Sequence, residues 1–279
     1  PPHTIVNGIR KLAPASLAFV EPDGSMRTKT YWTADYGIDE QRKNYSENDW
    51  IEETLEVMRR AVKRRLVADV PVGVLLSGGL DSSLIVGLLC EHDSSAVQTF
   101  SIGFESVNDE EGDEFKYSDI IVDRFKTEHH KLFIESTDTI PALRDCIRQM
   151  SEPMVSHDNV GFYLLSREVA KHVKVVQSGQ GADEVFAGYF WYEKMMQSRN
   201  PVADYASVFF DRDFDEYRKV VADRYRTDSD HPLEFVKSHF DQPGADRPAD
   251  KALRIDSRIM LVDHPVKRVD NNTMAASLE

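Results

Sequence analysis

The sequence contains only two cysteines, Cys90 and Cys146, and no apolar run near the roughly 18 residues that a membrane-spanning helix requires. Both cysteines fall within apolar, helix-like segments and lack the spacing of metal ligands, so we expect buried thiols in a reducing compartment. The first residues also lack the charged and then apolar pattern of a secretory leader. These absences predict a cytoplasmic protein without a membrane partner.

Positive charge is also scarce. Lysine and arginine together number 34, against 48 aspartates and glutamates, which gives a formal net charge of −14. Proteins that coat nucleic acid are normally basic, so no nucleic-acid partner is expected. A small anionic substrate is still compatible with this charge, because a local cluster of backbone N–H groups can bind phosphate.

Helix-like and strand-like segments alternate along the first two thirds of the chain. The strand-like segments are apolar or alternating runs at residues 72–76, 97–104, 129–134 and 173–177. Strands separated by helices predict an α/β fold with a doubly wound, mostly parallel sheet. From about residue 190 the pattern is helical, which predicts a helical C-terminal extension. A separate hairpin is predicted near the N-terminus, with Asp23-Gly24 at its turn.

Two loops rich in small residues follow the first and the last of these core strands. They read "SGGLDSS" at residues 77–83 and "SGQGADE" at residues 178–184. Glycines let the backbone approach a ligand, and the next helix offers N–H groups, so the pattern predicts an anion-binding cradle. An acidic residue in such a cradle indicates a bridging cation, which makes Asp81 and Asp183 candidate Mg²⁺ ligands. Either loop alone is equally typical of a tight turn with a helix cap.

The common nucleotide-binding signatures are missing. The sequence has neither GxxxxGK[ST] nor GxGxxG, which argues against a P-loop ATPase and a Rossmann dehydrogenase. Instead, "LLSGGLDSS" resembles the PP-loop of ATP pyrophosphatases, and "SGQGADEVFAGY" is similar to the second signature of the asparagine synthetase family. The segments "FSIGF", "EHH", "SEPMVSHD" and "VKRVDNNTMAASLE" resemble the same family in the expected order. Within that family, the sequence most resembles the amidotransferases that make N-acetylglutaminylglutamine amide.

The resemblance extends from about residue 50 to residue 279 and implies a fold and an activity. The implied fold is that of PP-loop, adenine nucleotide alpha hydrolase-like proteins. The implied enzyme is a ligase that uses ATP and Mg²⁺ to adenylate a small-molecule carboxylate, with release of pyrophosphate. Ammonia from glutamine then attacks the activated carbonyl and gives an amide.

The resemblance also implies the roles of individual residues. The implied ATP-binding residues are Leu76, Ser77, Gly78, Gly79, Asp81, Ser82, Ile102, Ser178 and Gly179. Among them, Leu76 and Ile102 are expected at the nucleoside, and the metal ligands are expected to be Asp81 and Asp183. The implied catalytic residues are Gln180, Asp81, Asp183 and Glu184. Glu184 is expected to orient metal-bound water or substrate, although a partner of the helix dipole is an equally compatible role.

Two positions carry less certain signals. Asparagine synthetases have glutamate where this chain has Gln180, and an amide can neither accept a proton nor carry charge. This difference argues against aspartate-specific chemistry and predicts a different acyl substrate. Asp263 is a weaker site candidate, and a plain surface aspartate is an equal alternative.

The resemblance also predicts how the chain is organised. Residues 1–45 resemble the tail of an N-terminal glutaminase-type domain and a linker, and residues 46–279 form an ATP-dependent synthetase domain that stops before its expected C-terminal end. The expected partners are ATP, ammonia, a carboxylate substrate, the glutaminase domain of the full-length protein and a second copy in a homodimer. Two alternatives stay open: a β-lactam synthetase-like cyclase and a nucleotide-binding module without turnover.

Overall fold

The computed structural model describes residues 3–92, 97–105, 115–153, 156 and 158–279. The chain divides into two compact units. The first, which we call the sheet unit, comprises Asn44–Gln180 and His264–Glu279. The second, which we call the helical unit, comprises the described residues of Pro1–Lys43 together with Gly181–Asp263.

The predicted domain boundary can be set beside this division. The predicted boundary after residue 45 lies next to the observed division after Lys43, whereas the predicted continuous domain 46–279 is shared between both units. Local sequence patterns do not indicate which distant segments pack together. The division of residues 46–279 between two units was therefore not predicted. The assignment of residues 1–45 to a glutaminase-type domain stays a prediction.

Strands and helices occur in both units. In chain order the strands are β1 (Ser16–Val20), β2 (Met26–Thr30), β3 (Val72–Leu75), β4 (Gln98–Phe104), β5 (Glu128–Ile134) and β6 (Val175–Gln177). The α-helices are α1 (Glu47–Arg64), α2 (Leu80–His92), α3 (Phe115–Phe125), α4 (Ser136–Gln149), α5 (Asp158–Val169), α6 (Ala182–Phe186), α7 (Trp191–Met196), α8 (Pro201–Phe209), α9 (Phe214–Val220), α10 (His231–Phe240), α11 (Pro248–Ile255), α12 (Leu261–Asp263) and α13 (Pro265–Ala275). A 3₁₀ turn lies at Asp223–Tyr225 and a π-helical segment at Asp256–Met260.

A parallel sheet forms the centre of the sheet unit. Its described strands lie in the order β5-β4-β3-β6, and Val74 of β3 lies opposite both Thr99 of β4 and Gln177 of β6. From β3 the chain proceeds outward through β4 to β5 and then returns to place β6 on the other side of β3. The strand order therefore reverses between β3 and β6. Ligands of open α/β sheets bind at the carboxyl ends of the strands at such a reversal.

Helices cover both faces of this sheet. On one face Val74 packs in a cluster with α1 and α2 residues that include Val62 and Val86. On the other face Phe100 packs against α5, where Val169 is fully buried. Alternate residues of a strand point to opposite faces, so a strand covered on both sides is apolar throughout, as the "VGVL" of β3 is. The predicted doubly wound, mostly parallel sheet is confirmed.

The last core strand is shorter than predicted. Residues 173–177 were expected to form it, but β6 begins at Val175, because α5 is followed by a turn in which the Val173 N–H donates to the Val169 carbonyl at 3.1 Å. The backbone of Glu279 pairs with this strand, accepting from the Val176 N–H at 2.7 Å and donating to the Lys174 carbonyl at 2.9 Å. These bonds satisfy backbone groups that an edge strand otherwise exposes.

The helical unit contains the predicted hairpin and the predicted helical extension. Strands β1 and β2 are antiparallel, and Gly24 lies in their turn with φ of +82°. In the same turn Asp23 Oδ1 accepts a hydrogen bond from the Ser25 N–H at 2.9 Å. After residue 190 the described chain forms helices and no strand, so both predictions are confirmed. None of the helices within the described ranges is long and apolar enough to cross a membrane.

A buried carboxylate lies in the aromatic core of the helical unit. Asp256 is 0% exposed, and its Oδ2 accepts hydrogen bonds from Trp191 Nε1 at 3.1 Å and from the Tyr192 hydroxyl at 2.6 Å. Its Oδ1 accepts a further hydrogen bond from the Tyr205 hydroxyl. Burial raises the pKa of Asp256 above its ordinary value, although the three hydrogen bonds oppose that shift. The same environment raises the pKa values of Tyr192 and Tyr205, which keeps both hydroxyls protonated as donors.

Candidate functional site

The first glycine- and serine-rich loop lies at the carboxyl end of β3 and leads directly into α2. The first helical hydrogen bond runs from the Ser83 N–H to the Gly79 carbonyl at 3.1 Å. The Ser82 hydroxyl closes the loop from inside: it donates to the Gly79 carbonyl at 3.3 Å and accepts from the Ser77 N–H at 3.3 Å. The Ser77 and Ser82 hydroxyls are also hydrogen-bonded, with 3.1 Å between their Oγ atoms. The Ser82 hydroxyl therefore shapes the loop, and its expected contact with ATP stays a prediction.

Only glycine fits at position 78. Gly78 has φ of +83°, which is in the region that glycine adopts without steric cost. A β-carbon at this position would lie 2.5 Å from the Ser118 nitrogen and 2.6 Å from the Tyr117 carbonyl carbon, both backbone atoms of α3. The backbone of the loop therefore packs directly on α3.

The second loop contacts the first one. A β-carbon on Gly179 would lie 3.0 Å from Asp81 Cβ and 3.1 Å from the Ser82 nitrogen. The Gly179 backbone thus packs on the first turn of α2, where N–H groups have no acceptor within the helix. The Ser178 hydroxyl accepts from the Gln180 N–H at 3.1 Å, which fixes the turn after β6. Within the sheet unit, the structure therefore brings the predicted residues 77–82 and 178–180 together at the reversal of strand order.

The structure limits the predicted contact of Leu76, through backbone and side chain, with the nucleoside. The Leu76 side chain is 1% exposed and belongs to the core cluster between the sheet and α2. Its N–H donates to the Phe100 carbonyl at 2.8 Å, and its carbonyl accepts from the Ser101 hydroxyl. A side chain enclosed in this way does not favour a side-chain contact with the nucleoside, and the predicted backbone contact stays a prediction. Ile102 is only half-buried, on the face of β4 that also carries Phe100, and its predicted contact stays a prediction.

A basic residue that the sequence did not single out adjoins the second loop. Arg268 of α13 donates from Nη2 to Gln180 Oε1 at 3.0 Å and from Nη1 to Asp158 Oδ2 at 2.7 Å. Arg268 belongs to the segment "VKRVDNNTMAASLE", which was quoted only for its resemblance. Its contact with Gln180 joins residues 88 positions apart, and no local pattern indicates such a pairing.

Asp183 and Glu184 belong to the helical unit, where they begin the short helix α6. A β-carbon on Gly188 would lie 2.0 Å from Asp183 Oδ1, so a side chain at position 188 would displace this carboxylate. Glu184 is 1% exposed, and its Oε1 accepts from the Tyr189 hydroxyl at 2.6 Å. Burial and the bond to Glu184 raise the pKa of Tyr189, so this phenol remains a donor. Such enclosure does not favour the predicted role of Glu184 in orienting metal-bound water.

Asp263 also lies in the helical unit and is not a plain surface aspartate. It is half-buried, and Lys11 Nζ donates to its Oδ1 at 2.7 Å across 252 residues of sequence. Partial burial alone would raise the pKa of Asp263, but hydrogen bonding, including that of Lys11, holds it below its ordinary value. Asp263 therefore forms an ion pair within the unit, and its role as a site residue stays a prediction.

Comparison with known proteins identifies the family. A family model described as Asparagine synthase matches residues 53–279. The chain belongs to the asparagine synthase family. Asparagine synthetase [glutamine-hydrolyzing] 3 of Bacillus subtilis is 28% identical over 298 residues, covering 99% of this chain and 46% of its own length. Asparagine synthetase [glutamine-hydrolyzing] 1 of the same organism is 31% identical over 193 residues, covering 69% of this chain and 29% of its own length.

A relative from Methanocaldococcus jannaschii is 38% identical over 190 residues, covering 67% of this chain and 35% of its own length. The chain therefore spans half or less of the length of these asparagine synthase relatives. The matched region contains both glycine-rich loops, and the predicted resemblance of the chain to the asparagine synthetase family is confirmed.

The donor set beside the loops fits magnesium bound with a nucleotide. The described residues contain no group of three or more His, Cys, Asp or Glu side chains that could hold a metal by themselves. Mg²⁺ in nucleotide sites normally takes one or two carboxylates and completes its shell with phosphate oxygens and water. Asp81, on the first turn of α2 and against Gly179, supplies one such carboxylate at the edge of the cradle. Mg²⁺ binding is thus compatible with these residues in the presence of a polyphosphate.

Proposed function

We propose that this chain is the synthetase part of a glutamine-dependent amidotransferase. It binds ATP at the two loops of the sheet unit, activates a small-molecule carboxylate and transfers the acyl group to ammonia. A glutaminase region of the full-length protein supplies that ammonia. One observation carries the proposal: the Gly179 backbone packs against Asp81 and Ser82 at the reversal of strand order, where open α/β sheets bind ligands.

The proposed reaction has two steps, and in each step one bond forms and one bond breaks. A carboxylate oxygen attacks the α-phosphorus of ATP, the bond between the α-phosphorus and the bridging oxygen breaks, and pyrophosphate leaves. Ammonia then attacks the acyl carbon, the acyl–oxygen bond breaks, AMP leaves with the electron pair, and one proton passes to solvent. The product is an amide. Activation is needed because a free carboxylate has a poor leaving group and its charge repels a nucleophile.

The chain contributes to this reaction mainly by positioning the reactants and by compensating the negative charge of the phosphates. The first turn of α2, whose N–H groups have no acceptor within the helix, would face the phosphates, where the helix dipole also favours negative charge. The Gly79 N–H donates to the Ser77 hydroxyl at 3.3 Å and so holds the shape of the loop. Mg²⁺, when bound, neutralises charge that develops on the pyrophosphate. Asp81 would hold that ion, and metal ligation by Asp183 stays a prediction. Groups fixed before the reaction need no reorganisation during it, which is the main source of such catalysis.

We further propose that the acyl substrate is a dipeptide with an acylated N-terminus, such as N-acetylglutaminylglutamine. The support is the resemblance of "SEPMVSHDNVGFYLLS" and "SGQGADEVFAGY" to the corresponding amidotransferases, together with Gln180 where asparagine synthetases have glutamate. The test is an assay with ATP, MgCl₂, ammonium chloride and this dipeptide, in which pyrophosphate and the amide are both measured. Pyrophosphate that appears only with acid and ammonium supports the proposal. Release without an amine acceptor would indicate a cyclase, and ATP-induced stabilisation without release would indicate a binding module.

The Asp81→Asn variant tests the proposed metal ligand. The amide keeps the shape of the side chain but removes its charge, so we expect pyrophosphate release to fall about 10- to 100-fold, mainly through a higher KM for MgATP. The free energy of unfolding should change by no more than about 0.5 kcal/mol, as for other substitutions outside the core. Raising the MgCl₂ concentration should restore part of the lost activity.

Asp145→Asn is the matched control for this variant. Asp145 lies on α4 with its side chain 53% exposed and pairs only with a neighbouring arginine on the same helix among the contacts described. The control should retain the wild-type KM for MgATP. An Asp81→Asn enzyme with unchanged KM and unchanged dependence on MgCl₂ would remove Asp81 from the metal site.

A further inference from the structure

The side-chain amide of Gln180 has a defined orientation. Arg268 Nη2 lies 3.0 Å from Gln180 Oε1. A guanidinium carries only hydrogen-bond donors, so the Gln180 atom that faces it must be the amide oxygen and not the nitrogen. The NH₂ group of Gln180 therefore points away from Arg268 and presents two donors on its other side.

Arg268 is itself held in place by its surroundings. It is 6% exposed, and its Nη1 donates to Asp158 Oδ2 at 2.7 Å and to Ser156 Oγ at 3.2 Å. Its guanidinium also lies 5.0 Å above the centre of the Phe162 ring. Two hydrogen-bonded partners and an aromatic ring thus fix the planar guanidinium of Arg268. It therefore loses little further conformational entropy when it binds the Gln180 oxygen. The position of the amide is thus determined before any ligand binds.

Gln180 lies beside the nucleotide cradle and is exposed. It directly follows Gly179, whose backbone packs on Asp81 and Ser82. Among the described residues, the Gln180 Nε2 atom forms no hydrogen bond, whereas its Oε1 atom does. The carboxylate that reacts with the α-phosphate must bind next to this cradle, so the Gln180 NH₂ group is available to the acyl substrate.

We propose that the Gln180 amide, oriented by Arg268, donates a hydrogen bond to a neutral carbonyl oxygen of the acyl substrate, and so selects N-acylated or peptide-like carboxylic acids over free α-amino acids. This proposal rests on the function proposed above and names the substrate class of the same site. In it, Gln180 contacts the substrate, and Arg268 acts only as a positioning residue.

The difference between glutamate and glutamine at position 180 explains the proposed selection of N-acylated acids. A glutamate at position 180 would pair one oxygen with Arg268 and offer the other as an acceptor, which suits a substrate ammonium group. Gln180 offers only donors on that side, and an ammonium group also has only donors. A free amino acid would therefore place its ammonium group beside Gln180 without an acceptor there. A carbonyl oxygen satisfies the Gln180 donor instead, and an unmatched polar group discriminates strongly between similar substrates.

The test compares matched pairs of acids by binding and by turnover. Calorimetry with MgCl₂ and α,β-methylene-ATP measures the Kd of N-acetyl-L-glutamine against L-glutamine, and of N-acetyl-L-aspartate against L-aspartate. We expect the wild type to bind each N-acetyl acid at least about tenfold more tightly than its free counterpart. Gln180→Glu should reverse this ratio.

Arg268→Lys separates positioning from general stability. Lysine keeps the charge but loses the fork, so we expect about a tenfold higher Kd for the N-acetyl acids and an unchanged Kd for the ATP analogue. Arg148→Lys, on the exposed surface of α4, is the matched control and should change neither value. Equal weakening of acid and nucleotide binding in Arg268→Lys would show a purely structural role and overturn the positioning claim.

The remaining outcomes distinguish this proposal from the proposed function. Equal binding of both acids of a pair by the wild type, an unchanged ratio in Gln180→Glu, or no binding of any acid would overturn the selection by Gln180. The expected binding preference without pyrophosphate release, when ammonium and ATP are supplied, would overturn the ligase function and support the substrate class. Pyrophosphate release that is equally efficient with free and N-acetyl acids would support the ligase function and overturn the proposed substrate class.

Discussion

Replacing Gly78 with alanine is expected to reduce ATP-dependent pyrophosphate release by about 100-fold or more, because a displacement of about 1 Å in a reactive site has effects of that size. The added methyl group would lie 2.5 Å from the Ser118 nitrogen and 2.6 Å from the Tyr117 carbonyl carbon. Both are backbone atoms, so neither can rotate aside. Either the loop after β3 or the start of α3 must move, and the N–H groups proposed to bind the phosphates move with the loop.

Gly24→Ala is a close control for this experiment. Gly24 has φ of +82°, almost the same as the +83° of Gly78, but a β-carbon on Gly24 would meet nothing within 4 Å. We expect it to lower the free energy of unfolding by roughly 1–2 kcal/mol, which is the cost of the left-handed conformation, with kcat/KM unchanged. Gly78→Ala combines this strain with the clash and should cost about 3 kcal/mol or more. Chemical denaturation and the pyrophosphate assay measure both quantities, and a fully active Gly78→Ala enzyme would refute the proposed cradle.

Asp256→Ala should destabilise the helical unit by about 3–5 kcal/mol, because it leaves three buried donors unsatisfied and each such group costs about 1–3 kcal/mol. The substitution leaves the indole N–H of Trp191 and the hydroxyls of Tyr192 and Tyr205 without their shared acceptor in a dry core. Each unsatisfied buried donor is costly, and the cavity left by the carboxylate adds to the effect. Urea denaturation followed by tryptophan fluorescence gives the measurement. Asp246→Ala, at an exposed position of the same unit, should change stability by no more than about 0.5 kcal/mol.

The pH dependence of stability provides a second readout of Asp256. Burial raises the pKa of Asp256 above the ordinary value of 3.8, so the folded protein keeps a proton at pH values where the unfolded chain has lost it. In that window the folded state binds more protons, and the contribution of Asp256 to stability decreases as the pH rises from 3.8 through the raised pKa. Asp256→Asn does not titrate, so the stability difference between wild type and this variant should show the same decrease. A difference that grows with pH would mean that the carboxylate pKa is lowered instead.

The core of the fold could be predicted because its signals are local. An apolar run such as the "VGVLL" of residues 72–76, followed by small residues and a helix, indicates a strand with both faces covered. The same segments carry the family signatures, so the loops at 77–83 and 178–184 were located before their contact was known. The strand at 173–177 was predicted too long, because a turn after α5 shortens it and a sequence of valines does not reveal such a turn.

Side-chain roles were predicted less well than backbone positions. Leu76 was expected at the nucleoside, but its side chain lies in the core, and Glu184, which was expected to orient metal-bound water or substrate, is enclosed with Tyr189. Both residues adjoin a loop that the sequence marks clearly. Whether a side chain next to such a loop faces a ligand or the interior depends on the elements that pack against it, and those elements are distant in sequence.

By itself, the sequence determined the parallel α/β sheet, the two glycine-rich loops and membership of the asparagine synthase family, because apolar periodicity, turn residues and motifs are all properties of short segments. Only the tertiary structure decided that Gly179 packs on Asp81, that Arg268 orients Gln180, and that Asp256 is shared by three aromatic donors. These pairings join residues between 51 and 98 positions apart. Such contacts depend on how whole helices and strands pack, and no short segment of the chain contains that information.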